Sequence, residues 1–315
     1  MPSILVIYNP IAGRGRVKKH WPDVQQGLID AGIEFDVAAT SAPLEAVTLA
    51  EKAATKYSTV IAVGGDGTVH EVVNGLLRAS SESETIALGV VPLGNGDDFA
   101  KMIPPQTTIG GKVYDWHVAI KKITKGQTKL FDVGRMSDNQ LPSKQDNKPQ
   151  YFMNGMDIGF GAQAALNFTK VPSFLTGMAA YLAAIMKTLI DYHIPNVRIQ
   201  IDDQKAFEQS TTMAAITNGR CFGSGFWVCP EAQVDDGLLD VMVTQSVGRL
   251  KILRLIPKIM KGTHVNEPIL KNYRARRVEI KSQQPLVVEA DGEISYSQTR
   301  HLEVQILDKK LRVIV

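Results

Sequence analysis

Apolar positions in the first third of the chain form short unbroken runs: Ile4-Leu5-Val6-Ile7-Tyr8, Thr59 to Val63, and Ile86 to Val91. Runs of this length bounded by turn residues predict strands buried on both faces. Between them the period changes. Trp21 to Ala31, Pro43 to Lys56 and Val69 to Leu77 have helical spacing or composition, and Gly32 supplies a stop for the first. Phe35-Asp36-Val37-Ala38 is a weaker strand. Short strands alternating with helices predict an α/β domain: a parallel sheet between two helical layers.

Beyond about residue 130, strand-like runs recur with few long helices between them. They are Tyr151 to Asn154, Val197 to Ile201, Met213 to Asn218, Leu238 to Thr244, Arg277 to Ile280, Leu286 to Glu289, and Leu302 to Leu307. The pattern predicts a β-rich, mainly antiparallel second domain. The expected division is 1–130 and 131–303, with a last strand, 304–315, that can return to the first domain. Ser137 to Pro149 is polar and ends at proline, the pattern of a surface loop. Ser173 to Tyr192 is rich in Ala, Leu and Met, and Lys187 breaks its apolar run. That run falls short of the roughly 20 residues needed to cross a bilayer, so a buried or cleft-lining helix is expected.

Composition narrows the class. A chain of 315 residues can form two domains, and 44% hydrophobic with 21% charged residues is ordinary for a globular enzyme. A net charge of +3 is too weak for a nucleic-acid-binding surface. Cys221 and Cys229 form no C-x-x-C pair, and no basic leader with an apolar core precedes the strand at Ile4. Reduced thiols and a cytoplasmic location are therefore expected.

Gly64-Gly65-Asp66-Gly67-Thr68, between a strand and a helix, is the strongest chemical signal. Glycines let backbone N–H groups approach an anion, and the helix start adds partial positive charge. Asp66 would repel bound phosphates unless a cation intervened, which points to magnesium and a nucleotide. Asn9 to Gly13 and Pro92-Leu93-Gly94-Asn95-Gly96-Asp97-Asp98 follow two other strands. Open α/β sheets bind ligands at such strand ends. Competing motifs fail: G-x-x-x-x-G-K-[ST] is absent, Lys18 replaces the last glycine of G-x-G-x-x-G, and Asn74 replaces the second histidine of H-E-x-x-H.

With these loops the chain resembles the diacylglycerol kinase catalytic-domain family, which includes bacterial soluble lipid kinases and is related to sphingosine kinases. The markers begin with Asn9-Pro10 and Gly13, the Gly64 to Thr68 loop with Glu71, and Pro92-Leu93-Gly94-x-Gly96-x-Asp98-Phe99-Ala100. They continue through Asp132-Val133-Gly134, Phe152-x-Asn154-x-x-x-Ile158-Gly159-Phe160, Pro230 through Asp235-Asp236-Gly237, and Asp291-Gly292-Glu293. The resemblance implies an ATP- and Mg2+-dependent kinase acting on a membrane lipid hydroxyl, diacylglycerol foremost, in a cleft between two domains. It places Asn9, Pro10, Ile11, Ala12, Gly13, Thr40, Gly65, Asp66, Gly67, Thr68, Val69, His70, Glu71 and Asn95 at the nucleotide. Asp66 would sit at the catalytic magnesium, and Glu293 would be the general base, with Asp291 and Asp132 shaping the same site. Asp236, with main-chain carbonyls near Gln233 and Leu238, resembles a separate structural magnesium site.

The family usually has Thr at Asn95 and Asn at Asp97, so Asp97 adds negative charge beside a polyphosphate. An NAD kinase shares the glycine loop, but does not explain Asp291-Gly292-Glu293 together with the apolar Ser173 to Tyr192 stretch. A nucleotide- or lipid-binding protein without catalysis is opposed by the intact Asp66 and Glu293. Lys251, Arg254, Lys258 and Lys261 share a face of the Val247 to Lys261 stretch, beside Leu250, Leu253, Ile256 and Met260. That basic amphipathic pattern suggests peripheral docking on an anionic membrane. The oligomeric state stays open, a homodimer included.

Overall fold

The structure, a computed structural model, describes residues 2–80, 84–138, 149–172 and 177–315, with backbone alone for 177–181. The first part contains β1 (Ile4–Tyr8), α1 (Arg16–Asp30), β2 (Asp36–Ala39), α2 (Glu45–Ala53), β3 (Thr59–Gly64), α3 (Asp66–Ala79), β4 (Ala87–Pro92) and α4 (Trp116–Lys125). The strands lie in the order β4-β3-β1-β2, with every neighbouring pair parallel. Alternate residues explain the packing. Leu5, Ile7, Val60, Ala62, Leu88 and Val90 join the core beneath α2 and α3, whereas Val6, Ile61, Val63 and Val91 join the core beneath α1 and α4.

Two helix starts differ from the sequence expectation. α1 begins at Arg16, because Gly15 at φ 83 turns the chain into it, and it accommodates Pro22. Its buried stripe is only Val17, Val24 and Leu28, which the charged first turn obscures in the sequence. α3 begins at Asp66 rather than Val69, so the glycine loop is itself the helix start.

The remainder contains β5 (Thr128–Ser137), β6 (Gln150–Phe152), β7 (Gly155–Gly159), α5 (Phe160–Phe168), α6 (Gly177–Asp191), β8 (Asn196–Ile201), β9 (Phe207–Thr217), β10 (Leu239–Gln245), α7 (Arg249–Met260), β11 (Leu270–Ala275), β12 (Arg277–Ala290) and β13 (Glu293–Ile314). The expected runs at 277–280 and 286–289 are one strand, β12. Its register against β13 shifts between Lys281 and Leu286, where Ser282-Gln283-Gln284-Pro285 breaks the alternation. α4, β5, α5 and β11 have no counterpart in the sequence expectation; β11 is a mixed polar strand at the sheet edge. Most of the expected surface loop, 139–148, lies outside the described residues.

β13 unites the molecule. It pairs antiparallel with β12 and β5, then parallel with β4 through Val313 and Leu88, so the described strands form one 13-stranded sheet. Beside it, α5, α6 and α7 share a small core of Phe160, Ile185, Leu189 and Ile252. No helix among the described residues is long and apolar enough to cross a membrane.

The α2–α3 contact depends on Gly75. A Cβ there would collide with the Val47 carbonyl and come within 2.7 Å of the Ala50 Cβ. Gly75→Ala should therefore destabilise the fold by about 1–3 kcal/mol through overpacking, although alanine is the better helix former by about 1 kcal/mol. Urea unfolding checks this, and a stabilised variant would refute the close contact.

Candidate active site

Glycines allow three loops to meet at the carboxyl ends of β1, β3 and β4. A Cβ on Gly13 would collide with the Leu93 carbonyl, one on Gly65 would lie 2.9 Å from the Gly94 Cα, and one on Gly96 would lie 2.9 Å from Asp66 Oδ2. The loops enclose a polar cavity of about 330 Å3, with the first turn of α3 in its wall. The N–H groups of that turn lack intrahelical partners, which favours an anion there. The Arg16 guanidinium donates to the Gly94 carbonyl and to Asn95 Oδ1, the latter at 2.8 Å.

Carboxylates crowd the cavity floor. Burial first, then Asp98 and Asp97, push the half-buried Asp66 carboxyl well above its ordinary range, against a hydrogen bond from Phe99 N at 3.2 Å. Asp98 pairs with Lys101 at 2.5 Å and accepts from Ser224 N at 2.7 Å, joining the third loop to the segment before β10. Asp97 folds back to accept from Gly94 N at 2.8 Å, and burial raises it to about 6. It does not line the cavity. Two enclosed oxygens at the cavity, Thr68 Oγ1 and Asn154 Oδ1, have no hydrogen-bond partner. Such atoms are costly unless a ligand satisfies them.

The opposite wall is the turn from β12 to β13. Asp291 and Gly292 adopt φ 48 and 94, which aims Glu293 back at α3; a Cβ on Gly67 would lie 3.5 Å from Glu293 Oε1. Glu293 makes no hydrogen bond or ion pair among the described residues, and Glu289 accepts from Gly292 N. On its far side lies a second cavity, about 460 Å3, walled mainly by apolar groups such as Phe160, Leu166, Ile185, Phe226, Ile256 and Ile259. Glu293 lines both cavities, as do Gly292 and the Phe222-Gly223-Ser224 segment.

Of the residues expected at the site, Asn9, Ala12, Gly13, Gly65, Asp66, Gly67, Thr68, Glu71, Asn95, Asp291 and Glu293 line the polar cavity. Others are elsewhere. Pro10 and Ile11 do not line the cavity, and Ile11 is 81% exposed. Thr40 is buried at the end of β2, its N–H donating to the Tyr8 carbonyl. Val69 is core, and His70 faces Asp291. Glu71 accepts from Leu44 N and Ala46 N, capping α2. Asp132 lies away from the cavity: its carboxylate accepts from Gly237 N and Lys309 N, each at 2.7 Å. Asp291 accepts from Met153 N, Asn154 N, Gly155 N and His70, so both of its oxygens are engaged within the fold.

The expected structural metal site is also differently employed. Asp236 pairs with Arg274 and accepts from Leu238 N, and Asp235 pairs with Lys129. Gln233 brings no carboxylate, and no group of three His, Cys, Asp or Glu side chains among the described residues is arranged to hold a metal. Sequence reasoning missed Lys101, Asn154 as a cavity residue, and the 222–224 segment. The three-residue spacing of Asp98 and Lys101 was the local signal for the lysine, and Asn154 stood only as a family marker.

Residues 3–136 match the profile of the diacylglycerol kinase catalytic domain, and residues 156–315 match the YegS C-terminal NAD kinase beta sandwich-like domain. The chain is 29% identical over 298 residues to a diacylglycerol kinase of Bacillus subtilis, covering 93% of this chain and 90% of the relative. It is 27% identical over 301 residues to one of Mycobacterium tuberculosis, covering 93% and 89%. A diacylglycerol kinase crystal structure from Bacillus anthracis shares the fold with TM-score 0.70 at 22% identity, covering 99% of this chain and 96% of that one. An NAD kinase from Archaeoglobus fulgidus in complex with ATP shares it more distantly, with TM-score 0.54 at 12% identity over 99% and 93%. The matched profiles, together spanning nearly the whole chain, place it in the diacylglycerol kinase catalytic-domain family of kinases.

Proposed function

We propose that the protein transfers the γ-phosphoryl group of ATP to the hydroxyl of a membrane lipid, diacylglycerol foremost. The observation that carries this reading is the position of Glu293, lining both a polar cavity at a helix start and an apolar cavity behind it. A nucleotide acceptor, as in an NAD kinase, would have little use for the apolar cavity; an acyl chain would. On this reading residues 1–130 hold the nucleotide and 131–303 the lipid, with 304–315 completing the first sheet.

The residues present fit a polyphosphate and a divalent cation. Crowding around Asp66 is relieved by a cation, and the orphaned Thr68 hydroxyl can donate to a phosphate oxygen. Magnesium held by Asp66 would neutralise charge on the phosphates. Main-chain N–H groups of the first turn of α3 bind phosphate oxygens, and the glycine loops exclude side chains from that surface. Glu293 accepts the proton of the lipid hydroxyl as its oxygen bonds to the γ-phosphorus. The bond from that phosphorus to the bridging oxygen breaks, and ADP leaves with the electron pair.

The apolar cavity lies beside α5, α6 and α7, which supports docking on an anionic membrane by their outer face. The expected basic face of α7 is partly neutralised, since Lys251 and Lys258 both pair with Glu267. The apolar side chains are more exposed: Leu182, Met186 and Ile190 on α6, and Leu250 and Leu253 on α7. The Arg249 guanidinium donates to the Ile190 carbonyl at 2.9 Å, joining the two helices at this end.

The deciding assay offers magnesium-ATP with diacylglycerol, sphingosine, phosphatidylglycerol and NAD. Asp66→Asn should abolish transfer while leaving circular dichroism unchanged. Glu293→Gln should lower kcat by about 10²–10⁴-fold, the usual worth of a general base, with ATP affinity kept. Transfer to NAD alone, or full activity without Glu293, would sink the proposal. Changing Ile190 and Leu250 together to Gln should reduce sedimentation with anionic vesicles but spare activity on a short-chain, water-soluble acceptor; equal loss on both would reject this face.

Asp97 gives a pH test. Its folded-state pKa is raised, so the native protein binds this proton more tightly than the unfolded chain does. The resulting instability is absent below the ordinary carboxylate pKa of about 4 and complete above about 6. Asp97→Asn should thus stabilise at pH 7.5, by about 3 kcal/mol at most, and much less at pH 4. Urea titrations at the two pH values measure it, and equal effects at both would refute the burial argument.

A further inference from the structure

His70 lies one turn beyond Asp66 on α3, yet it takes no part in the polar cavity. It is 5% exposed, and its Nδ1 lies 3.1 Å from Asp291 Oδ2. Asp291 receives three further donors from the backbone: Met153 N at 2.9 Å, Asn154 N at 2.9 Å and Gly155 N at 3.2 Å. An ionised carboxylate only accepts, so the ring hydrogen in this contact belongs to Nδ1. Nε2 lies 3.4 Å from the Asn74 carboxamide nitrogen, whose two hydrogens go to the His70 and Tyr151 carbonyls.

Asn74, one turn further along, pairs with both backbone groups of Tyr151 in β6, at 3.1 Å and 3.0 Å. α3 is therefore tied to the opposite half of the site by two polar links. One runs through Asn74 to the strand that leads into the Met153–Gly155 turn. The other runs through His70 to Asp291, two residues before Glu293.

Building on the proposed lipid kinase reaction, we infer that His70 is a positioning residue, whose bond to Asp291 fixes the Glu293 turn over the first turn of α3. The two ends of this link carry the parts that must be aligned: the phosphate-facing start of α3 and the proton-accepting Glu293. Without His70, Asp291 keeps its three main-chain donors, so the turn itself stays formed. What is lost is its placement relative to α3. A general base displaced by about 1 Å can cost on the order of 10²-fold in rate.

The test compares two amides at position 70. An asparagine amide nitrogen falls where Nδ1 lies and can still donate to Asp291. A glutamine nitrogen falls where Nε2 lies and cannot. His70→Gln should lower kcat by about 10–100-fold with both KM values little changed, and His70→Asn should restore most of the rate. Circular dichroism should report a native fold for both.

In a Glu293→Gln background, His70→Gln should add no further loss, because its effect passes through Glu293. An additive loss there, equal rates for the Gln and Asn variants, or a wild-type rate in the Gln variant would overturn the inference. A wild-type protein that phosphorylates no lipid would overturn the functional reading instead, so the two failures are distinguishable.

Discussion

The architecture rests on the pairing of β13, which begins at Glu293 and ends at Ile314 beside β4. Its first residue lines both cavities and its last residues close the sheet that carries the glycine loops. Backbone hydrogen bonds are directional and must all be made in a buried sheet, so they set the register of each end with little freedom. Glu293 is thereby referenced to the same sheet that places α3. The glycine contacts between the loops complete the arrangement by letting three backbones approach where side chains would keep them apart.

Electrostatically the site is a set of crowded acids held by local donors. Lys101 and Ser224 N serve Asp98, Gly94 N serves Asp97, and Phe99 N partly serves Asp66. Three further acids are satisfied within the fold: Asp132 by Gly237 N and Lys309 N, Asp236 by Arg274, and Asp291, in the cavity wall, by three backbone donors and His70. The unbonded carboxylate of Glu293 is different. A carboxylate without internal donors at the boundary of two cavities is free to accept a proton from a ligand.

The legibility of the sequence follows the range of the interactions. The three loops that line the polar cavity could be read directly, because a glycine turn before a helix is a local arrangement of neighbours in the chain. The alternation of strands and helices was equally visible, since each buried run carries its own period. Asp132 and Asp291 look alike in sequence to any acidic site residue, and only their partners distinguish a turn-forming acid from a catalytic one. The apolar cavity draws on α5, α6, α7 and the 222–224 segment, so no stretch of sequence announces it. β12 reads as two strands because its pairing shifts in the middle.

The bulge in β13 has a mechanical consequence. Its register against β5 shifts between Leu307 and Leu311, with Lys309 at φ 49. Two halves joined by a continuous strand cannot swing apart as bodies on a slack tether; they can flex only where the ribbon itself bends, and bulges are where ribbons bend. Asp132, by accepting from Lys309 N, pins that elbow. A marker residue that lies away from the cavity thus bears on the stiffness of the strand that carries Glu293.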